Sequence, residues 1–246
     1  MNKELIKKRF AKCLSSYNSN ATIQRQMAEK LVSYISPNFY EKVLELGCGT
    51  GLLTNVATDK LSFNNYVAVD IVPECENFIK KINSNIEFIN CDIEKYNFQK
   101  YDLIISNATF QWVDNLPAFV DRILQFLNVN GILLFTTFGE KNYRELYSVV
   151  GKKLLYLSKV QLQKALNKYN PIIDEDIHIM TFDNTKEILN HIRNTGVNSI
   201  EQIAWTKKDL VNFDKKYKKI CNNNLKLTYN PIYVKIQNSP AGEFII

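Results

Sequence analysis

Lys42-Val43-Leu44-Glu45-Leu46-Gly47-Cys48-Gly49-Thr50-Gly51-Leu52-Leu53-Thr54 is the stretch on which the reading of this chain turns. An apolar run of strand character enters a turn in which three of the protein's eight glycines fall within five residues, and a helical run follows. Glycine takes positive φ without strain and has no Cβ to hold a ligand away. Glycines gathered at a strand end therefore point to a ligand lying on bare main chain. The spacing G-C-G-T-G matches neither G-x-G-x-x-G nor G-x-x-x-x-G-K-[ST], which argues against the two motifs that cradle phosphates.

Downstream of this turn, residues 66–70, 86–89, 101–106 and 131–138 read as further strands, with helical patterns over 73–83 and 115–128. Strands alternating with helices make a parallel sheet covered on both faces, and ligands lie outside the carboxyl ends of such strands. Upstream, residues 3–16 and 21–35 read as two helices separated by Tyr17-Asn18-Ser19-Asn20. In the second, Ile23, Met27, Leu31 and Ile35 make one apolar stripe, while Gln24, Arg25, Glu29 and Lys30 fall elsewhere, and Pro37 ends it. Beyond Gly139 the rhythm changes: residues 143–169 are basic and helical in pattern, 177–182 a strand, 184–194 a helix, 206–220 a very basic helix and 225–236 a final β stretch. The expectation is one α/β domain over 1–246 with a seven-stranded, mostly parallel sheet. Residues 1–37 would form a helical lid and 38–139 the ligand-binding core. Residues 140–224 would be a cap carrying strand six, and 225–246 the last strand and tail.

At 246 residues and 46% hydrophobic composition the chain can bury a full core. It has no run of eighteen apolar residues, and residues 1–10 read as a charged amphipathic helix without the apolar centre of a signal peptide, so a soluble cytoplasmic protein is expected. The five cysteines are scattered and never spaced C-x-x-C, which supports reduced thiols and neither a disulfide framework nor a zinc site. The net charge of +6 is unevenly spread: +5 over 1–37, −5 over 38–139, +5 over 140–170, −3 over 171–200 and +4 over 201–246. Basic appendages around an acidic core suit an anionic partner, either nucleic acid or an acidic protein.

Asp70 ends the second strand about twenty residues after the glycine turn, where a carboxylate can accept both hydroxyls of a ribose; the alternative is a turn or capping aspartate. Asp92 and Ile93 follow the third strand, and Asp92 is also open to reading as a common turn residue. Ser106-Asn107-Ala108-Thr109-Phe110-Gln111-Trp112 follows the fourth strand, with Phe110 and Trp112 read as packing residues. It carries no Pro-Pro pair. His178 and His191 have no metal-ligand spacing and read as structural. No metal is expected.

The turn Glu45-Leu46-Gly47-Cys48-Gly49-Thr50-Gly51 resembles the first motif, E-x-G-x-G-x-G, of class I S-adenosylmethionine-dependent methyltransferases, whose fold is Rossmann-like. Further matches narrow the resemblance. Arg9-Phe10-Ala11 with Tyr17, Ala21, Gln24, Ala28 and Leu31, the core turn, Ser106-Asn107 with Gln111-Trp112, Glu145-Leu146, Ile188-Leu189 through Arg193, Thr195-Gly196-Val197 and Leu227-Thr228-Tyr229 are together similar to the malonyl-acyl-carrier-protein O-methyltransferases of biotin biosynthesis. Two pieces depart from that pattern: Asn128-Val129-Asn130-Gly131 stands where L-K-P-G-G is usual, and Thr195-Gly196-Val197 where I-G-A is common.

The resemblance implies methyl transfer from S-adenosylmethionine to the free carboxylate of malonyl-acyl-carrier protein, giving a methyl ester and S-adenosylhomocysteine. It implies a cofactor site made of Gln24, Glu45, Gly47, Gly49, Gly51, Asp70 with Ile71, Asp92 with Ile93 framing the adenine, and Asn107. A carboxylate of pKa near 4 is ionised at neutral pH, so no general base is needed. Arg144 is the expected holder of that carboxylate, since a guanidinium binds it in a planar two-pronged geometry, and Tyr17 an expected hydrogen-bond donor. The alternatives are a solvated helix charge for Arg144, a core tyrosine for Tyr17 and an exposed helix residue for Gln24. The runs Lys7-Lys8-Arg9, Lys152-Lys153, Lys207-Lys208, Lys215-Lys216 and Lys218-Lys219 suit docking of a small acidic carrier protein, with no membrane partner. The rival functions are methylation of another small carboxylic acid of trans-aconitate type, RNA modification, and a non-enzymatic interaction subunit.

Overall fold

In the computed structural model the described residues are 2–151, 156–195 and 206–239. Lys152-Lys153 and residues 196–197 of the Thr195-Gly196-Val197 piece lie outside them. Five strands run parallel: β1 (Phe39–Leu46), β2 (Ser62–Asp70), β3 (Glu87–Asn90), β4 (Tyr101–Ser106) and β5 (Leu127–Phe138). They are joined by α3 (Leu52–Lys60), α4 (Glu76–Ile82) and α5 (Leu116–Leu124), with an extended crossover between β3 and β4. Two later strands, β6 (Ile172–Glu175) and β9 (Pro231–Gln237), complete a seven-stranded sheet of order β3-β2-β1-β4-β5-β9-β6, in which β9 runs antiparallel to both its neighbours. Val43, Leu44, Leu46, Leu103, Ile104 and Ile105 are buried on both faces of the central strands, as near-continuous apolar runs of a covered parallel sheet must be. The strand order reverses between β1 and β4, which opens a crevice at their carboxyl ends.

On one face lie α1 (Lys3–Asn20) and α2 (Thr22–Val32). The α2 stripe Ile23, Met27 and Leu31 is buried as its spacing predicts, each side chain worth about 1.5–3 kcal/mol relative to an exposed one. The predicted break at 17–20 is absent. Helix α1 continues to Asn20, whose Nδ2 donates to the Ser16 carbonyl at 2.7 Å, and the chain turns only where the Ala21 N–H caps the Tyr17 carbonyl at 2.8 Å.

The region after β5 departs most from expectation. Among its described residues the helical stretch 143–169 holds two helices, α6 (Arg144–Val150) and α7 (Lys159–Leu166). Helix α7 packs on the sheet through Leu162 and Leu166 beside β6, so this part of the expected cap belongs to the core layer, and β6 is the strand that the sequence reading missed. The strand expected at 177–182, here β7 (His178–Thr181), joins β8 (Lys226–Tyr229) in a separate two-stranded ribbon. The single β stretch expected over 225–236 is broken at Asn230. The Asn230 N–H donates to the Asn142 Oδ1 at 3.1 Å and its carbonyl accepts from Gly139 N–H at 2.7 Å, which makes a corner between ribbon and sheet. Helices α8 (Thr185–Asn194) and α9 (Lys207–Ile220), with α6 and the ribbon, cover the strand ends; α8 lies against α1, and α9 against α6.

Candidate functional site

The glycine turn does two jobs. Gly47, Gly49 and Gly51 all have positive φ, at 76°, 52° and 81°. A Cβ on Gly47 would lie 2.2 Å from Thr109 Oγ1, so that glycine lets the loop after β4 close on the turn. A Cβ on Gly49 would meet nothing within 4 Å, which leaves the main chain open toward the cavity. Gly47 and Cys48 N–H groups both bond the Val69 carbonyl, at 2.8 and 3.1 Å, locking the turn to the end of β2.

Asp70 stands at that end, oriented by main chain. Its Oδ2 accepts from the Gly49 N–H at 2.8 Å and its Oδ1 from the Val72 N–H at 2.9 Å. Burial raises its pKa, and these two bonds oppose that shift. Each oxygen keeps a lone pair for a ligand hydroxyl. Glu45, at the end of β1, is fully buried among apolar side chains; Thr54 Oγ1 and Tyr66 Oη donate to its Oε2 at 2.7 and 2.6 Å. Burial pushes its pKa up to about 7 against those two bonds, which leaves a carboxyl that a cationic ligand would ionise. Asp92 is held by the Glu94 N–H at 3.0 Å, next to the buried Ile93.

Glu45, Gly47, Gly49, Asp70, Ile71, Asp92, Ile93, Asn107 and Tyr17 line one cavity. Gly51 sits behind it, its φ needed for the turn into α3. Asn107 lines the cavity, yet its amide is engaged elsewhere: Nδ2 donates to the Gln24 carbonyl at 2.9 Å and Oδ1 accepts from Thr136 at 2.7 Å. Gln24 is no exposed helix residue. It is 2% exposed beneath this contact, and its Oε1 is buried without a hydrogen-bond partner. Arg144 is not brought to the cavity. Tyr143 precedes it in the left-handed conformation (φ 54°), which turns the tyrosine inward and leaves the arginine side chain 51% exposed, its Nε donating to Glu145 at 3.2 Å. Buried Glu145 in turn holds Thr228 of β8 by two bonds, at 3.0 and 2.6 Å.

Of the inner face of α1, sequence reading named only Tyr17 as a site residue. Lys3, Ile6, Phe10, Leu14 and Tyr17 recur at three- and four-residue spacing and line the cavity together. Phe10 packs against Tyr17 and edge-on against Trp112. Lys3 fastens the helix at the Asp92 end, its Nζ bonding the Glu94 carboxylate and the Trp112 carbonyl (2.8 Å), 3.9 Å from Asp92. With α1 in place the cavity is about 100 Å³. Among the described residues no cluster of His, Cys, Asp and Glu could hold a metal ion, no disulfide joins any of the five cysteines, and no helix is long and apolar enough to cross a membrane.

An open glycine turn, an oriented carboxylate at the end of β2 and a doubly covered sheet with an antiparallel β9 define a methyltransferase fold, and a family profile described as "Methyltransferase domain" matches residues 8–198. Among solved structures, a Haemonchus contortus phosphoethanolamine N-methyltransferase 2 in complex with S-adenosylhomocysteine shares this fold at TM-score 0.53 and 17% identity, over 87% of this chain and 53% of that one. A malonyl-[acyl-carrier protein] O-methyltransferase of Calditerrivibrio nitroreducens is 36% identical over 92% of this chain and 94% of its own length, and one of Chlorobium luteolum 32% identical over 98% and 97%. The chain belongs to the malonyl-[acyl-carrier protein] O-methyltransferase family and is an enzyme of the methyltransferase class.

Proposed function

We propose that this protein transfers the methyl group of S-adenosylmethionine to the free carboxylate of a malonyl thioester on acyl-carrier protein, forming the methyl ester, as an early cytoplasmic step of biotin synthesis. The observation that carries the reading is the Gly49–Asp70 pair: a turn open to a ligand, beside a carboxylate whose two oxygens are already aimed by main-chain N–H groups. Asp70 accepts the ribose hydroxyls, Asp92 the adenine amino group with Ile71 and Ile93 at the ring, and Glu45 the cationic amino end. Gln24, whose carbonyl holds the Asn107 amide and whose buried Oε1 has no partner, stands behind that end of the site.

When bound, S-adenosylmethionine supplies a methyl already activated on a sulfonium. The chain's residues then have three tasks. They hold carboxylate and methyl in line, which supplies roughly 7–11 kcal/mol when orientation is good, and they close water out through α1. They also present donors that do not quench the carboxylate. Tyr17 stays protonated for this, its pKa pushed upward by burial and by the neighbouring Tyr229 and Asp70. Arg144 takes an outer station, on the route by which an acidic partner reaches the site.

The docking surface is the outer side of α9. Phe213 and Tyr217 are buried, and Lys207, Lys208, Lys215, Lys218 and Lys219 stand on the opposite side, Lys218 paired with Asp214 at 2.8 Å. Charge complementarity of this kind gives fast, salt-sensitive association. Labelled S-adenosylmethionine offered with malonyl-carrier protein, malonyl-coenzyme A, small diacids and bulk tRNA tests the reading. Label on the malonyl thioesters supports it; label on tRNA alone replaces it with RNA modification.

A further inference from the structure

A second cavity, of about 380 Å³, lies beside the loop that follows β4, and the cofactor site does not use it. Gln111, Thr137, Phe138, Tyr156 and Leu157 are among its lining side chains. Thr137 and Phe138 are the last two residues of β5, so this space sits at the carboxyl ends of the sheet, where ligands of such folds bind. The turn Phe110–Trp112 serves both spaces: Trp112 lines the cofactor cavity and Gln111 the second one. Their walls meet at one hydrogen bond. Gln111 Nε2 donates at 2.5 Å to the carbonyl of Ala108, which lines the cofactor cavity.

The shared turn is held on several sides. Ala108 takes a left-handed φ of 50°, unfavourable for a residue with a Cβ, and its N–H is fixed to Thr136 Oγ1 at 2.7 Å. The Trp112 N–H donates to the Thr109 carbonyl at 2.9 Å, and the fully buried Phe110 ring lies 4.6 Å from that of Phe135. The Gln111 amide then has one orientation, because turning it over would set its oxygen against the Ala108 carbonyl oxygen. Its Oε1 is therefore an acceptor, and it is buried without a hydrogen-bond partner. An unpaired buried acceptor costs free energy that a ligand N–H restores. Among the described residues the one charged side chain along this cavity is Asp114, an acid, and the rest are apolar or neutral. Such a lining suits an uncharged chain with N–H donors better than an anion.

We propose that this cavity takes the uncharged, amide-bearing arm on which the malonyl thioester is carried, with Gln111 Oε1 accepting from an amide N–H of that arm. This rests on the reading of the protein as a methyltransferase of malonyl thioesters. The carboxylate end of the substrate then lies on the cofactor side of the turn, and the arm behind the sulfur passes the Ala108–Gln111 contact into the second space. The cavity would thereby choose a thioester over a free diacid. A diacid has no arm to fill the space and no N–H to satisfy Gln111, and it would bring a second negative charge toward Asp114.

The test uses the full-length protein with S-adenosylmethionine and three small substrates: the malonyl thioester of N-acetylcysteamine, its analogue with an ester oxygen in place of the amide N–H, and malonyl methyl thioester, which has no arm. Affinity for S-adenosylhomocysteine is measured alongside as a check on the fold. The wild type is expected to prefer the amide over the ester about tenfold in kcat/KM, the scale of leaving one buried acceptor unpaired. Gln111→Met, of similar length but without the acceptor, should bring that preference to within about twofold while binding S-adenosylhomocysteine as the wild type does. Leu157→Trp, which fills the cavity, should raise KM for the amide thioester about tenfold and leave KM for malonyl methyl thioester unchanged. Equal use of amide and ester by the wild type overturns the proposal, as does a preference that survives in Gln111→Met with cofactor affinity intact. If Gln111→Met no longer binds S-adenosylhomocysteine, Leu157→Trp decides, and an unchanged KM for the amide thioester overturns the proposal. A wild type that methylates none of the malonyl thioesters, malonyl-carrier protein included, fails the underlying reading and takes this proposal with it.

Discussion

The two halves of this site are made from different materials. The half at the ends of β1 and β2 is built from main chain: a turn locked to Val69, an open Gly49, and Asp70 aimed by two N–H groups. The half under α1 is built from side chains, namely Lys3, Ile6, Phe10, Leu14 and Tyr17 of that helix with Trp112 across from them. Main-chain geometry is suited to a ligand that never changes. A wall of adjustable side chains on a covering helix is suited to a substrate that arrives on a carrier and leaves as an ester.

Changes in the main-chain half should cost most. Gly47→Ala drives a Cβ to 2.2 Å from Thr109 at a φ of 76°, and about 3 kcal/mol or more of stability should go, read by urea denaturation. Gly49→Ala has open space at a φ of 52°, so it should lose only about 1–2 kcal/mol of stability, while affinity for S-adenosylhomocysteine drops by more. Equal effects of the two substitutions in both measurements would erase the distinction between packing glycine and ligand glycine. Asp70→Asn should weaken S-adenosylhomocysteine by roughly tenfold to a hundredfold in calorimetry, the worth of charged hydrogen bonds, with a smaller effect on melting.

Glu45 gives a pH signature. Its pKa in the fold is raised from 4.5 to about 7, so the folded state holds a proton that the unfolded chain has lost, and stability of the ligand-free protein falls as pH rises through that window. A cationic amino group selects the ionised form. Cofactor affinity should therefore improve about tenfold from pH 6 to pH 8 relative to Glu45→Gln, and parallel titration curves for the two proteins would remove Glu45 from the ligand. The smallest effect belongs to the clasp of α1. Lys3→Ala should cost under about 1 kcal/mol globally, while amide exchange along α1 accelerates because the helix opens more often.

Legibility followed the same division. Strands β1, β2 and β4, the glycine turn and Asp70 stand where periodicity and spacing place them, because each is specified by residues close in sequence. Helix α1 was half legible: a helix over 3–16 and the place of Tyr17 were read, but the stripe Ile6, Phe10 and Leu14 was not, and the polar run Tyr17-Asn18-Ser19-Asn20 masks the continuation to Asn20. Short β6 follows Asn170 and Pro171 and carries two acids among its four residues, so nothing local marks it as a sheet strand; pairing with β9 creates it. The break at Asn230 has a tertiary cause in Asn142, and the reversal at Tyr143 that exchanges Arg144 for a tyrosine depends on Thr228. Local pattern cannot carry either.

The central claim is the identity of the methyl acceptor. The most direct measurement is the fate of labelled methyl when the purified protein meets malonyl-carrier protein and acetyl-carrier protein in parallel. The account predicts label on the malonyl carrier alone, released as methanol by mild base as a methyl ester must be. Label that resists base, or that reaches acetyl- and malonyl-carrier protein equally, would contradict it.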